Sequence, residues 1–302
     1  MIVTTGFFDG VHLGHRLVIE RLVALAHGRD DESAVVTFWP HPRTVLQDGA
    51  RELRLLTSLD EKKALLEGLG VDHVEVLDFT RSFAALTAEE YLRDVLQARF
   101  GATVLLIGYD NRLGSDRLTA AALAPAADRL GLGLVTLPPL GAGEQDGAIS
   151  STRIRTALAR GEVDRAAAML GYPYSLYGVV VAGNRLGRTI GFPTANMQLY
   201  EPLKLVPGNG AYAVDVDVLG CRWSGMCNIG VRPTVGGTAR TIETHILDFS
   251  EDIYGLPIRI TFRRKIRDEI HFPSLDALRD RLELDRRSLG AEASPDIHPH
   301  ER

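Results

Sequence analysis

Two histidines lie in a glycine-rich segment near the N-terminus. The segment reads GFFDGVHLGH and carries its histidines at positions 12 and 15. Glycines let the backbone turn tightly and approach a ligand closely, and a helix start offers unpaired N–H groups that suit phosphate. Histidines at this spacing face the same point on a helix, so His12 and His15 can donate hydrogen bonds to phosphate oxygens that gain charge during a reaction. The segment therefore predicts a site for phosphate-transfer chemistry.

A second polar cluster, ISSTRIR at residues 149–155, lies far along the chain. Serine and threonine ahead of a helix are typical N-caps, which is one interpretation of Ser151 and Thr152. The same residues, together with Arg153 and Arg155, also suit a phosphate clamp at a helix start. The residues alone leave both interpretations open.

A third segment, residues 183–196, reads GNRLGRTIGFPTAN. It lacks the GK[ST] ending of a Walker A loop and does not sit in a βαβ unit, so it is neither of the common nucleotide-binding motifs. We interpret it as a flexible glycine-rich cover that ends in a turn fixed by Pro193. The Thr194 hydroxyl and the Asn196 amide are hard oxygen ligands of the kind that Mg²⁺ takes. An ordinary turn is the alternative interpretation.

The composition excludes several classes of protein. The chain has 302 residues, 45% of them hydrophobic, which favours two packed domains over a disordered or collagen-like chain. The formal net charge is −5 and neither half is basic, which argues against a nucleic-acid-binding protein. No apolar run is long enough to span a membrane, and the first residues do not resemble a signal peptide. Because the only cysteines are Cys221 and Cys227, a reducing cytoplasm is the expected compartment.

Alternating strand and helix patterns must position the first two clusters. Strands are expected at residues 2–5, 34–38, 74–77, 103–107 and 132–137, and helices at 17–26, 59–69 and 88–100. Such alternation predicts a parallel sheet covered on both faces, and ligands bind such sheets at the carboxyl ends of the strands. The loop after the first strand is therefore the expected first site, in a predicted α/β domain that spans residues 1–172.

From about Tyr174 the pattern changes to short alternating segments separated by Gly, Pro or Asn. These segments predict an antiparallel sheet or a small barrel, followed by a last helix at 275–287. We predict that this second domain spans residues 173–290. The polar tail, residues 291–302, carries two prolines and is expected to be disordered.

Further motifs in the second half include Asn228-Ile-Gly230, ETHILDF at residues 243–249 and IRDEIHF at 266–272. The HxGH motif with the distal SSTRIR segment resembles the nucleotidyltransferase domain of bacterial bifunctional riboflavin kinase/FMN adenylyltransferases, also called FAD synthetases. The PTAN and ExHIxDF motifs resemble the riboflavin kinase domain of the same family. The resemblance extends over nearly the whole chain, to about residue 290. Class I aminoacyl-tRNA synthetases share HxGH, but the lysine-rich KMSKS-type loop that they need is absent from the sequence.

The resemblance implies a fold, two reactions and their small-molecule partners. The fold is an α/β parallel-sheet nucleotidyltransferase domain followed by an antiparallel β-barrel kinase domain with a C-terminal helix. The kinase converts riboflavin and ATP into FMN and ADP, the adenylyltransferase converts FMN and ATP into FAD and pyrophosphate, and both use Mg²⁺. Catalysis then depends on positioning and charge stabilisation, without a covalent enzyme intermediate. The sequence leaves the oligomeric state open.

The resemblance also implies roles for individual residues. His12 and His15 contact the ATP phosphates, and Glu243 accepts the proton of the ribityl hydroxyl as that oxygen attacks the γ-phosphorus. Thr194 and Asn196 hold the metal and the phosphates of the ATP used by the kinase. The expected ATP contacts of the first domain are Gly6, Phe7, Phe8, Asp9, Gly10, Gly14, Asp110, Ser151, Thr152 and Arg153. Those of the second domain are Gly183, Gly187, Arg188, Gly191 and Pro193. Arg267 and Glu269 are expected to shape the flavin pocket, whereas His245 and Asp248 are expected to be structural.

Two positions depart from the family's pattern. Asn111 and Leu113 stand where relatives usually carry aromatic residues, so stacking of the flavin or the adenine is expected to differ there. A riboflavin kinase with weak or lost adenylyltransferase activity is therefore one alternative. The other is a flavin-binding regulator without catalysis, which the presence of both histidines, the PTAN motif and Glu243 argues against.

Overall fold

The structure, a computed structural model, describes residues 1–46, 53–108, 111–138, 148–183, 186–234 and 237–290. Contacts divide the chain into two compact units, Met1–Ser151 and Thr152–Arg302. The predicted domain boundary near residue 172 stays a prediction. Asp110 and the predicted disordered tail, residues 291–302, lie outside the described residues. Among the helices of the described ranges, none is long and apolar enough to cross a membrane.

The first unit alternates strands with helices, as the sequence predicts. Its strands are β1 (Ile2–Thr5), β2 (Ser33–Trp39), β3 (His73–Asp78), β4 (Val104–Gly108), β5 (Arg112–Leu113), β6 (Leu118–Thr119) and β7 (Gly133–Leu137). Its helices are α1 (Leu13–His27), α2 (Pro42–Leu46), α3 (Leu59–Glu67), α4 (Arg81–Ala84), α5 (Ala88–Glu90), α6 (Ala98–Phe100) and α7 (Ala120–Leu130), with a π-helical segment at Tyr91–Gln97.

The core of the first unit is a parallel sheet of five strands in the order β3-β2-β1-β4-β7. The central strand, β1, pairs with β2 and β4. Its side chains alternate between two apolar clusters, with Ile2 in one and Val3 in the other, so both faces of the sheet are buried. The predicted parallel sheet is confirmed, and the carboxyl end of β1 leads directly into the glycine-rich segment.

The second unit is a closed barrel with helices around it. Its helices are α8 (Ser151–Ala159), α9 (Val163–Leu170), α10 (Leu186–Thr189) and α11 (Leu275–Gly290). Its strands are β8 (Ser175–Val181), β9 (Ala195–Leu199), β10 (Gly210–Val218), β11 (Cys221–Thr234), β12 (Gly237–Ile246) and β13 (Pro257–Arg267). The barrel closes in the order β10-β11-β12-β9-β8-β13, with all neighbours antiparallel. The predicted antiparallel barrel with a last helix is confirmed.

Burial alternates along β12. Ile242, Thr244 and Ile246 are buried, whereas Glu243 and His245 between them are half-buried. Because successive side chains of a strand point to opposite faces, Glu243 and His245 lie on one face of the barrel wall. The chemistry-bearing side chains of this strand are therefore on its more accessible face.

The prediction for residues 183–196 needs two corrections. The glycine-rich cover includes a helical turn, α10, and Asn196 does not lie in a turn, because strand β9 already begins at Ala195. The glycines and the proline of the segment indicate a turn locally, whereas β9 forms through its pairing with β12 and β8, which tertiary structure supplies.

Candidate active sites

The loop that follows β1 has an unusual backbone. Phe8 and Val11 have φ angles of 52° and 34°, in the left-handed region that β-branched and bulky residues rarely adopt, and Gly10 has φ 81°. Phe8 and Val11 are buried in the apolar cluster on one face of the sheet. Packing therefore holds the loop in a conformation that the chain alone would avoid, which is typical of ligand-binding loops.

His12 and His15 lie together at the start of α1. His12 is the N-cap of this helix, and its Nδ1 accepts a hydrogen bond from the His15 N–H at 3.3 Å. The two imidazole rings stack with their centroids 3.7 Å apart, and the Phe8 ring meets His15 edge-on at 5.3 Å. The spacing of the motif thus produces the pair of imidazoles that it predicts.

These contacts determine the protonation of both rings. Because Nδ1 of His12 accepts a hydrogen bond, the proton of the neutral ring lies on Nε2. Burial is the main cause that holds the pKa of His15 well below its usual value, and the neighbouring His12 and Lys62 lower it further. Nδ1 of His15 is buried and has no hydrogen-bond partner within the described part of the chain. Because such an atom is costly to bury, it is a candidate contact for a bound substrate.

Asp9 anchors the loop to the chain that precedes α3. Its carboxylate accepts hydrogen bonds from the backbone N–H groups of Leu56 at 3.0 Å and Thr57 at 3.2 Å. The Thr57 hydroxyl in turn accepts a hydrogen bond from the Gly10 N–H at 3.2 Å. The ATP contact of Asp9 stays a prediction. In the structure, its carboxylate positions the loop against residues 56 and 57.

Ser151 of the second polar cluster lies against this loop within the first unit. The Ser151 hydroxyl donates a hydrogen bond to the Asp9 carbonyl at 3.0 Å. Thr152 and Arg153 follow in the first turn of α8 and belong to the second unit. Their expected role as a phosphate clamp therefore stays a prediction.

The departure at Leu113 has a local explanation, whereas nothing in the structure explains the one at Asn111. The Asn111 N–H donates a hydrogen bond to the Gly108 carbonyl at 3.2 Å. Leu113 lies in the β5–β6 hairpin and packs against the apolar cluster of the sheet. The leucine therefore contributes to the core of the first unit.

Sequence reasoning missed several aromatic side chains near the carboxyl edge of the sheet. The His41 ring contacts the Phe7 ring edge-on, with the centroids 4.1 Å apart. Nearby, Phe38 packs against Phe79, Phe83 and Tyr91. The Tyr91 hydroxyl shares a buried hydrogen bond with Thr5 at 2.7 Å, and burial raises its pKa. The aromatic residues at 38, 79, 83 and 91 are not regularly spaced along the chain, so the cluster is seen only in the folded structure.

In the second unit, strand pairing aligns three polar side chains. Glu243 on β12 pairs with Asn196 on β9 and with Asn228 on β11. The Thr241 hydroxyl donates a hydrogen bond to the Glu243 carboxylate at 3.2 Å. Directly opposed residues of antiparallel strands have their Cβ atoms within about 5.5 Å, so the carboxylate and the two amides form one row across the barrel wall. This row joins the PTAN and ExHIxDF motifs.

A cavity of about 310 Å³ lies on the other face of β12 from Glu243, where Thr244 and Ile246 line it. Arg188, Pro193 and Thr194 line it from the glycine-rich segment, and residues 249–254 line it from the opposite side. Its volume is at the lower end of the range for small-molecule sites. Three of the residues predicted to hold the ATP of the kinase thus share one cavity.

His245 supports the same segment. Its Nδ1–H donates a hydrogen bond to the Pro193 carbonyl at 2.8 Å, and its ring lies 5.0 Å from that of Phe192. Burial is the largest cause of a lowered pKa for His245, so a neutral ring holds the backbone immediately before Thr194. This agrees with the structural role that the sequence predicts.

Gly183 gives the first test of the kinase site. A Cβ at this position would overlap the side-chain amide of Asn196. We expect Gly183→Ala to displace that amide and to reduce riboflavin phosphorylation by about 10- to 100-fold, because a displacement near 1 Å has such an effect on positioned groups. Initial rates of FMN formation measure it. The neighbouring Ala182→Ser variant adds one atom at an exposed position and should retain the wild-type rate; equal rates for both variants would contradict the role of Asn196.

Arg267 and Glu269 hold elements of the second unit in place. Arg267 donates to Asp285 of α11 at 2.8 Å, and Arg281 binds the other oxygen of that carboxylate at 2.9 Å. Glu269 accepts hydrogen bonds from the Asn209 amide at 2.9 Å and from the Val231 N–H at 3.4 Å. Their expected part in the flavin pocket stays a prediction.

The Arg267–Asp285 pair gives a test of stability. The Asp285 side chain is 1% exposed and that of Arg267 is 9% exposed. We expect Asp285→Asn to lower the free energy of unfolding of the second unit by about 3 kcal/mol, because it leaves a buried guanidinium without its counter-charge. Denaturant unfolding measures this change. Asp280→Asn, at an exposed position of the same helix, serves as the control. If Asp285→Asn lowered the free energy of unfolding no more than Asp280→Asn does, the stabilising role of the Arg267–Asp285 pair would be contradicted.

The two units carry two candidate sites, one at a parallel sheet edge and one on a barrel, as expected of a nucleotide-dependent transferase. Residues 1–153 match the family model described as FAD synthetase, and residues 170–291 match the model described as riboflavin kinase. The bifunctional riboflavin kinase/FMN adenylyltransferase of Escherichia coli K12 is 39% identical over 94% of this chain and 90% of the relative. That of Pseudomonas fluorescens is 37% identical over 98% and 94%. The chain belongs to the bifunctional riboflavin kinase/FMN adenylyltransferase family.

A solved structure shares the fold over almost the full length. The crystal structure of a protein from Streptococcus pneumoniae, described as a macrolide-efflux protein, matches with a TM-score of 0.89 and 34% identity. The match covers 97% of this chain and 94% of that one. The arrangement of a parallel-sheet unit and a barrel unit on one chain therefore has an experimental counterpart.

Proposed function

We propose that this chain makes FAD from riboflavin in two ATP-dependent steps, with the kinase site in the second unit and the adenylyltransferase site in the first. The observation that carries the proposal is that each unit assembles its own set of reactive side chains. His12 and His15 stack at a strained loop, and Asn196 and Glu243 pair across two strands of the barrel. The small-molecule partners are riboflavin, FMN, FAD, ATP, ADP and pyrophosphate.

In the adenylyl transfer, a phosphate oxygen of FMN attacks the α-phosphorus of ATP. The bond from that phosphorus to the bridging oxygen breaks, and pyrophosphate leaves with the electron pair. Negative charge grows on the phosphate oxygens as this happens, so hydrogen bonds from His12 and His15 stabilise the transition state more than the ground state. Nε2 of His12 carries the proton to be donated, because Nδ1 caps α1. In the same loop, the Phe8 N–H has no acceptor among the described residues, whereas the N–H groups of Gly6 and Gly10 bond to Val36 and Thr57.

In the kinase step, the ribityl 5′-hydroxyl of riboflavin attacks the γ-phosphorus of ATP, and ADP leaves. Glu243 accepts the hydroxyl proton as the new oxygen–phosphorus bond forms. Phosphoryl transfer depends mainly on positioning and on charge neutralisation. Thr194 and Arg188 border a cavity that would take the phosphates, and Asn196, two residues after Thr194, pairs with Glu243.

The residues around Asn196 fit a magnesium ion. Thr194 and Asn196 offer hard oxygen atoms, which Mg²⁺ takes together with water and phosphate. Because Gly183 has no Cβ, the Asn196 side-chain amide has room at its observed position. Among the described residues, no three His, Cys, Asp or Glu side chains gather into a metal site, so the ion would be shared with the phosphates of ATP. When bound, it would neutralise phosphate charge.

Two alternatives are separated from this proposal by one assay. Purified protein is incubated with riboflavin and MgATP, or with FMN and MgATP, and the flavins are resolved by chromatography. The proposal expects FMN and FAD from riboflavin, and FAD from FMN. FMN without FAD would select a kinase with a lost adenylyltransferase, and flavin binding without turnover would select a regulator. The core contact of Leu113 gives no reason to expect the first of these.

We also propose a cytoplasmic location, which Cys221 and Cys227 support because both are free thiols. Fractionation of cells that express the chain, with detection of flavin-forming activity, tests this location. Activity recovered with the membrane fraction would contradict it.

A further inference from the structure

Lys62 is a buried lysine next to the glycine-rich loop of the first unit. It belongs to α3, and the residue is only 1% exposed. Its ammonium donates hydrogen bonds to the Phe7 carbonyl at 3.1 Å, to the Thr37 hydroxyl at 3.0 Å and to the Phe38 carbonyl at 3.2 Å. The same nitrogen lies 4.0 Å from the centre of the Phe7 ring. All three donors of the ammonium are thus used, and one of them fixes the loop.

The Phe7 carbonyl is held twice. The Thr37 hydroxyl, which accepts from Lys62, donates to this carbonyl at 3.2 Å. Because the C=O and N–H groups of a trans peptide point in opposite directions, this fixes the Phe8 N–H on the side away from Lys62. No acceptor for the Phe8 N–H is found within the described residues. The left-handed φ of Phe8, 52°, shows that the peptide is held against its own preference.

The surroundings of Lys62 contain several other charged or titratable groups. Burial lowers its pKa to about 8, and the Asp9 carboxylate opposes this shift. Its charge contributes to the lowered pKa of His15 on α1. The His41 ring contacts the Phe7 ring, which also lies next to the Lys62 ammonium. Lys62 is therefore connected to the loop, to the histidine pair and to the aromatic side chains of the first site.

We propose that Lys62 is a positioning residue for adenylyl transfer, because its ammonium holds the Phe7–Phe8 peptide so that the Phe8 N–H is directed at the nucleotide phosphates. This inference rests on the proposed role of the Gly6–Gly10 loop. Lys62 itself does not contact the substrate. Without the Lys62 ammonium, the Phe7–Phe8 peptide can rotate, and the Phe8 N–H no longer donates to the negative charge that develops on the phosphates. The other contacts that bind the nucleotide are unchanged.

The Lys62→Met variant tests this in the full-length protein. We expect kcat for FAD formation from FMN to fall by about 10- to 100-fold, with the KM for FMN within threefold of wild type. Riboflavin phosphorylation by the same preparation should be unchanged. Lys63→Met removes a lysine from the next position of α3 and should match wild type in both reactions. Wild-type adenylylation by a folded Lys62→Met variant would overturn the inference; a wild-type chain that forms no FAD would instead overturn the proposed function.

The pH profile gives a measurement that a merely structural role would not move. As pH rises through about 8, wild-type Lys62 loses its proton, so the rate of adenylylation should fall across this range. Lys62→Arg keeps the charge and should shift this fall to higher pH. If neither Lys62 variant folds, the wild-type profile decides, because its fall near pH 8 follows the loss of the Lys62 proton. A wild-type profile that is flat from pH 7 to 9.5 would overturn the inference.

Discussion

Replacement of Glu243 by glutamine is expected to reduce riboflavin phosphorylation by about 10²- to 10⁴-fold, the range for loss of a general base. The amide keeps the size of the side chain and its place opposite Asn196 and Asn228. It is not basic, so the ribityl hydroxyl keeps its proton as it attacks. Initial rates of FMN formation from riboflavin and MgATP measure the loss.

FAD formation from supplied FMN should proceed at the wild-type rate in Glu243→Gln, because that reaction is assigned to the other unit. Glu283→Gln, which removes a carboxylate paired with Arg286 on α11, is the matched control and should retain both activities. A Glu243→Gln variant with more than half of the wild-type kinase rate would refute the assignment of the base.

The second large effect is expected for His12→Asn, which should lower FAD formation from FMN by about 10²- to 10³-fold, the range for loss of one preorganised donor. Asparagine is a good N-cap, so it can replace Nδ1 of His12 as the acceptor for the His15 N–H. It lacks the Nε2–H that the imidazole would direct to the phosphates. The variant therefore separates the catalytic contribution from the stability of α1.

His27→Asn makes the same substitution at the exposed last turn of the same helix and should leave FAD formation unchanged. Riboflavin phosphorylation should be unchanged in both variants. If His12→Asn and His27→Asn formed FAD equally fast, the histidine pair would have no part in adenylyl transfer.

Both architectures, the parallel sheet and the antiparallel barrel, could be predicted from the sequence, because each produces a hydrophobic periodicity within short stretches of the chain. Apolar runs such as Thr103–Ile107 alternate with helical patterns and indicate buried parallel strands, and β4 is one of them. The spacing of His12 and His15 likewise determines a shared helix start. The geometry that follows from spacing along one element is therefore confirmed, here by the stacked rings of His12 and His15.

The sequence was insufficient where a side chain's role depends on tertiary packing. Lys62 lies in the stretch DEKK, which favours a solvated helix face, yet α3 turns this one lysine inward to the loop. Asn196 was placed in a turn because a proline precedes it closely, whereas pairing with Glu243 makes it part of a strand. Burial of a charge and pairing of distant strands are non-local, so no window of the sequence contains them.

We propose that one chain carries two independent sites that act in succession. The most direct measurement follows FAD formation from riboflavin and MgATP by Glu243→Gln alone, by His12→Asn alone and by an equimolar mixture of the two. We expect little product from Glu243→Gln, accumulation of FMN by His12→Asn, and FAD from the mixture, because released FMN reaches the intact first unit of the partner variant. A mixture that forms no more FAD than the single variants, or a single substitution that removes both activities from a folded protein, would contradict two separate sites.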